Sequence, residues 1–156
     1  MIKNYLLIFL ISMVPLIELR GAIPVAVHME LEYLTSVVVC CIGNLLPVPI
    51  IYFFARKVLI WGADKPWIGP FFRFCLEKGQ RGGEKLRAKA GRGGLFLALM
   101  LFVGIPLPGT GAWTGTLAAS FLNMGIKSTV AAVTLGVILA AAIMVVGSHT
   151  VIGVLA

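Results

Sequence analysis

Four apolar blocks fill most of the chain, and two of them are broken part-way by residues that stop helices. Residues 31–55 and 128–147 are each long enough for a transmembrane helix, which needs about 20 predominantly apolar residues. The first is interrupted only by Asn44, Pro47 and Pro49, and the second holds no charge. Residues 5–29 and 95–126 are different. In the former, about 13 apolar residues run into Glu18-Leu19-Arg20-Gly21-Ala22-Ile23-Pro24 and then a short stretch to Met29. In the latter, about 11 residues from Leu95 to Ile105 run into Pro106-Leu107-Pro108-Gly109-Thr110-Gly111-Ala112-Trp113-Thr114-Gly115, then a short stretch to Ile126. No arm of either block crosses a bilayer alone. Backbone groups freed by proline and glycine find no partner in lipid, so such breaks survive at depth only where protein or a wet cavity surrounds them. Both blocks are expected to form re-entrant or broken helical hairpins.

Composition agrees with a membrane chain: 60% of residues are hydrophobic and 12% charged, against about 25% charged in a soluble domain. An ordinary globular enzyme, a disordered chain and a disulfide scaffold are thereby excluded. The net charge of +7 is local. Residues 56–92 hold ten Lys and Arg against three Asp and Glu, and the rest of the chain sums to zero. A basic segment between apolar blocks belongs on the cytoplasmic side. Nucleic acid is not an expected partner, because no soluble module surrounds these charges. Trp61, Trp67, Phe71, Phe72 and Phe74 lie among them, with Pro66 and Pro70. This pattern predicts a short interfacial helix around 70–78, then a flexible glycine-rich linker over 79–94. The segment acts as a topology anchor or as a binder of anionic headgroups. Cys40, Cys41 and Cys75 make neither a CxxC pair nor a metal-spaced set, so no cofactor and no metal are expected. The N-terminal apolar run lacks a small-x-small cleavage pattern and is read as retained.

The order of elements recurs in both halves: short helix, break, short helix, long helix. An offset of 90 residues places Gly21-Ala22 on Gly111-Ala112, Pro24 on Thr114 and Asn44 on Thr134. The expected architecture is one all-α integral membrane domain over 1–156. Residues 1–55 form repeat one, 56–94 a basic cytoplasmic or interfacial connector, and 95–156 repeat two. Each repeat is a re-entrant or broken hairpin plus one long transmembrane helix. If each hairpin enters and leaves on one side, the two halves are inverted and both termini lie outside. Four full crossings with both termini inside is the competing topology. Corresponding breaks in inverted halves point to a substrate site near the bilayer midplane.

Candidate site residues follow from the breaks. Glu18 and Arg20 are the only charges deep in an apolar block, and such residues are functional candidates with a partner nearby. One reading has them cap the ends of their own hairpin, with Pro24 in the first turn of its second helix. Another gives Glu18 a proton-carrying role and lets Arg20 bind an anionic substrate. In the second break, Pro106, Pro108, Gly109, Thr110, Gly111, Trp113 and Thr114 form a turn packed on the first hairpin, or a binding surface. Its glycines allow close backbone approach, its threonines add hydroxyls, and Trp113 offers a face to an apolar or cationic group. Asn44 is expected to form an interhelical hydrogen bond or to serve as a ligand. Ser128, Ala132, Gly136 and Ala140 make a small-residue stripe that permits close helix contact, within the chain or with a second copy. His28 and His149 receive no role.

At Glu18–Pro24 and Gly104–Gly115 the chain resembles the bacterial and archaeal small multidrug export proteins, over nearly its whole length. That family is more distantly similar to the DedA-like membrane proteins. The resemblance implies two facing re-entrant hairpins carrying an acidic residue, and proton-dependent transport of drugs or lipid carriers, in a prokaryotic plasma membrane. Glu18 matches the acidic position and Pro106–Gly109 the proline-rich stretch, whereas the second hairpin lacks the arginines of the DedA-like pattern. The expected function is a small transporter, not an enzyme, with Glu18 as coupling carboxylate and a small-molecule or lipid substrate. A homodimer is expected because so few apolar residues enclose little cavity alone. A lipid translocase and a non-transporting membrane scaffold are the alternatives.

Overall fold

The computed structural model describes residues 2–15, 17–107 and 110–155. Seven helices follow in order: α1 (Ile2–Met13), α2 (Glu18–His28), α3 (Tyr33–Leu45), α4 (Val48–Ala63), α5 (Gly69–Gly104), α6 (Ala112–Phe121) and α7 (Ile126–Leu155). No strand occurs among the described residues.

Helices α3 and α4 form one bent rod. Leu46 and Pro47 keep right-handed helical backbone, and Pro49 falls in the first turn of α4, where a missing N–H does no harm. The rod, Tyr33–Ala63, and the segment Ile126–Gly147 are both long and apolar enough to cross a membrane. The first span therefore runs past residue 55 and carries Arg56 and Lys57 on its last turns.

The expected linker over 79–94 is helical instead. Of its glycines only Gly91 leaves the helical region, at φ 69°, ψ −173°, a left-handed conformation that glycine adopts without a Cβ penalty. Lys, Arg, Glu, Gln, Leu and Ala between the others favour helix enough to carry them. Pro70 sits in the first turn and starts α5 rather than breaking it. Gly91 thus divides α5 into a basic part, 69–90, and an apolar part, 92–104.

The apolar part of α5, α6 and α7 follow the order of α1, α2 and the α3–α4 rod about 90 residues later. Packing follows suit: α1 packs on α2 and α3, and α2 on α3, while α5 packs on α6 and α7, and α6 on α7. Even the turns match. Helix α2 ends with Glu30 at φ 53° and the Leu31 amide donating to the Ala26 carbonyl. Helix α6 ends with Asn123 at φ 54° and the Met124 amide donating to Ala119. Both are Schellman caps, whose left-handed residue lets the chain reverse into the next helix.

The small-residue stripe of α7 lies against α5 in the same chain. Ala132 and Ala140 are buried, and a Cβ on Gly136 would meet the Met100 carbonyl oxygen and Val103 Cβ, both at 2.7 Å. Several buried hydroxyls bond back along their own chain: Ser12 donates to Phe9 O and Ser36 to Glu32 O (2.7 Å each), and Thr129 to Gly125 O (3.0 Å). This is the economical solution where no water is near.

Glu32, outside the span, caps α3. Its carboxylate accepts from the amides of Leu34 (3.0 Å) and Thr35 (2.6 Å). Bonds from the Thr35 hydroxyl, the Thr35 amide and the Leu34 amide hold it below its ordinary value of 4.5. A depressed carboxylate stabilises the fold above its unfolded-state value, and that contribution disappears as pH falls through the folded value. Glu32→Ala is expected to lower the unfolding temperature in detergent at pH 7. The difference from wild type should shrink as pH is taken below about 4.5, which a pair of pH-dependent melting series will measure.

Candidate functional site

Glu18 and Asn44 are the buried side chains of the amide and carboxylate type among the described residues. Glu18 begins α2 with φ 51°, a left-handed conformation unfavourable for a residue with a Cβ. It is 5% exposed. Its carboxylate crosses to the other break and accepts from the amides of Ala112 (3.2 Å) and Trp113 (3.0 Å), the first turn of α6. Gly111, which precedes that turn, provides no side-chain cap, so Glu18 supplies one in its place. A carboxylate at a helix N-terminus meets free N–H groups and the positive end of the helix dipole. Charge-assisted hydrogen bonds of this kind contribute about 1.5–3 kcal/mol each.

Arg20, half-buried, does the opposite task at the opposite pole. Its guanidinium donates to the carbonyls of Val103 (3.2 Å), Ile105 (3.1 Å) and Leu107, and to the Thr110 hydroxyl (3.0 Å). Those carbonyls belong to the end of α5 and the turn beyond it, where no intrahelical N–H remains. Thr110 completes the cluster, its hydroxyl lying 2.8 Å from Ile105 O and 2.9 Å from Leu107 O. Trp113 returns the service: its indole N–H donates to the carbonyl of Met13 at the end of α1 (3.1 Å). Each helix–break–helix pair thus caps the other.

This corrects the expectation that Glu18 and Arg20 cap their own hairpin. Helix α2 already starts at Glu18, so Pro24 lies inside it rather than in its first turn. The charges are then free to reach the facing pair. Asn44, 2% exposed, makes no bond through Oδ1, so the expected interhelical hydrogen bond does not use its acceptor. At 1.5 Å per residue, Asn44 and Glu18 both lie about 15–17 Å from the turn joining α2 to α3, which pack together. Pro106 is half-buried in the turn, and Thr114 lies beside Gly111, its hydroxyl 3.4 Å from that carbonyl. Pro108 and Gly109 lie outside the described residues.

Gly111 is needed for room, not for backbone freedom: its φ of 171° is extended, but a Cβ there would overlap the Glu18 carboxylate. Beyond it, the Trp113 ring, Leu117 and Phe121 of α6 face Ile51, Phe54 and Val58 of α4 across an apolar groove of about 290 Å³.

Tyr52 was missed by sequence reasoning. Its hydroxyl donates to Met124 O, the Ser120 hydroxyl lies 3.4 Å from its carbonyl, and Arg56 donates to its hydroxyl at 3.3 Å. This ties the first span to the turn between α6 and α7. A phenol within an otherwise apolar stretch was the available signal.

Residues 18–143, most of the chain, match the family model described as "Putative small multi-drug export protein". The chain belongs to this DedA-like family. No curated protein and no solved structure matches it. Family and fold together are those of a small membrane transport protein that crosses the bilayer more than once, from a class of transporters rather than enzymes. Among the described residues no three His, Cys, Asp or Glu are grouped to hold a metal ion.

Gly111→Ala should displace Glu18 and lower stability by about 1–3 kcal/mol, the usual range for overpacking. Gly125→Ala, where a Cβ meets nothing within 4 Å, should stay within about 0.5 kcal/mol. Melting curves of both variants in detergent compare the two sites.

Proposed function

We propose that the protein is a proton-coupled exporter of small lipophilic molecules, with its substrate path between two re-entrant hairpins in inverted halves. The mutual capping of the two breaks carries this reading. Glu18 is the only buried carboxylate among the described residues, and it holds the start of α6 by its charge. Protonating it removes the negative charge that the helix N-terminus favours, loosening the Gly111–Trp113 end that serves as gate. Arg20 keeps the end of α5 in place meanwhile.

Element lengths support the re-entrant form. At 1.5 Å per residue α1, α2 and α6 measure about 15–18 Å, half of a hydrocarbon core of about 30 Å. The matching contacts and turns of the two halves support the repeat. In the inverted arrangement residues 56–94 face the cytoplasm of a prokaryotic cell against anionic headgroups, and both termini lie outside. A homodimer then encloses a larger cavity than one chain does.

The groove beside Trp113 favours one rival, a lipid translocase, because its walls carry no polar surface and Phe54 at its edge is 67% exposed. Liposome flux assays separate the two. Ethidium efflux should be driven by a proton gradient in wild type, and Glu18→Gln should slow it about a hundredfold, the lower end of what a lost proton-transfer group costs. Unchanged, pH-dependent efflux in that variant removes the coupling role. Flipping of a fluorescent lipid without ethidium flux establishes the rival. Tags on both termini, labelled in intact cells, read the topology, and protected tags overturn the inverted form.

A further inference from the structure

Where α5 bends at Gly91, Arg92 comes to line a cavity of about 380 Å³ with Lys127 and Ser128 at the start of α7. Leu95 and Met124, both buried in the core, provide its apolar floor, and Gly125 its rim. Arg92 and Lys127 are exposed, and neither has an ion-pair or hydrogen-bond partner among the described residues. Among the described residues no acidic side chain lines the cavity; Glu84, further back on α5, lines a separate one with Leu122 and Asn123. Arg56 adds a third cation nearby, bonded to the Tyr52 hydroxyl that itself donates to the Met124 carbonyl. Ile126 is the first residue of the second apolar span, so the cavity lies beside the end of that span.

We propose that this cavity binds the phosphate of an anionic phospholipid, between the Arg92 guanidinium and the Lys127 ammonium. An arginine matches two phosphate oxygens at once and a lysine adds a point charge. The apolar floor takes the first carbons of the acyl chains, which a free phosphate ion lacks. The site rests on the reading that the basic segment lies against headgroups, and it pins the α5 bend to the α6–α7 turn. It is independent of proton coupling at Glu18.

The test uses the purified full chain in a neutral detergent, titrated with phosphatidylglycerol, phosphatidylcholine or inorganic phosphate, with the unfolding temperature as readout. Phosphatidylglycerol should raise that temperature saturably, and the other two should not. Arg92→Gln with Lys127→Gln should weaken the half-saturating concentration about 25-fold, about fivefold for each basic residue at a membrane surface. Gly125→Leu keeps both charges and adds its side chain into open space, so it should weaken binding by filling the cavity without unfolding the protein. Lys85→Gln with Lys89→Gln removes two charges from the same helix and should change binding less than threefold. Equal weakening by that control pair, no effect of Gly125→Leu, or an equal response to inorganic phosphate overturns the site. Loss of ethidium flux in Glu18→Gln with phosphatidylglycerol binding intact separates this inference from the transport reading.

Discussion

Broken helices in a lipid environment leave backbone N–H and C=O groups with no solvent to satisfy them, and this fold resolves that problem by exchange. Glu18 serves the start of α6, Arg20 the end of α5, and Trp113 the end of α1. Because each break depends on the other, neither half has all its caps without its partner. Packing between the halves, of α4 on α5 and α6 and of α7 on α2 and α3, holds the breaks close enough for this to occur.

The same interactions explain several local departures from easy backbone choices. Glu18 adopts a left-handed conformation that a residue with a Cβ avoids, and the conformation persists because its carboxylate is bound by two amides. Gly111 lacks a side chain because that carboxylate occupies the space where one would lie. Structure and the proposed chemistry therefore converge on one group. The carboxylate that closes the contact between the two breaks is the one to which the proposed transport assigns the coupling role.

Much of this was legible in the sequence because membranes restrict the options. Apolar length identified the spans, the clustered Pro and Gly identified the breaks, and Glu18 and Arg20 stood out as charges at depth. The legibility failed where local chemistry was ambiguous. Six glycines among basic residues read as a linker, yet only Gly91 leaves the helix, since the intervening residues propagate it. Pro24 read as a helix start but lies within α2. Tyr52 went unnoticed because a phenol in an apolar run resembles any aromatic until its partner, a carbonyl 72 positions later, is known.

By itself the sequence determined that this is a membrane chain, where its breaks fall, and that its excess charge is confined to one segment. Each of these follows from counting residues against the thickness and polarity of a bilayer. Only the tertiary structure decided whom the charges serve. Only Leu19 separates Glu18 from Arg20, and sequence proximity made a self-contained cap the simplest pairing. In space, the first amides of α6 and the carbonyls at and beyond the end of α5 lie within hydrogen-bond reach of these side chains, and in a medium without water backbone polar groups need such partners.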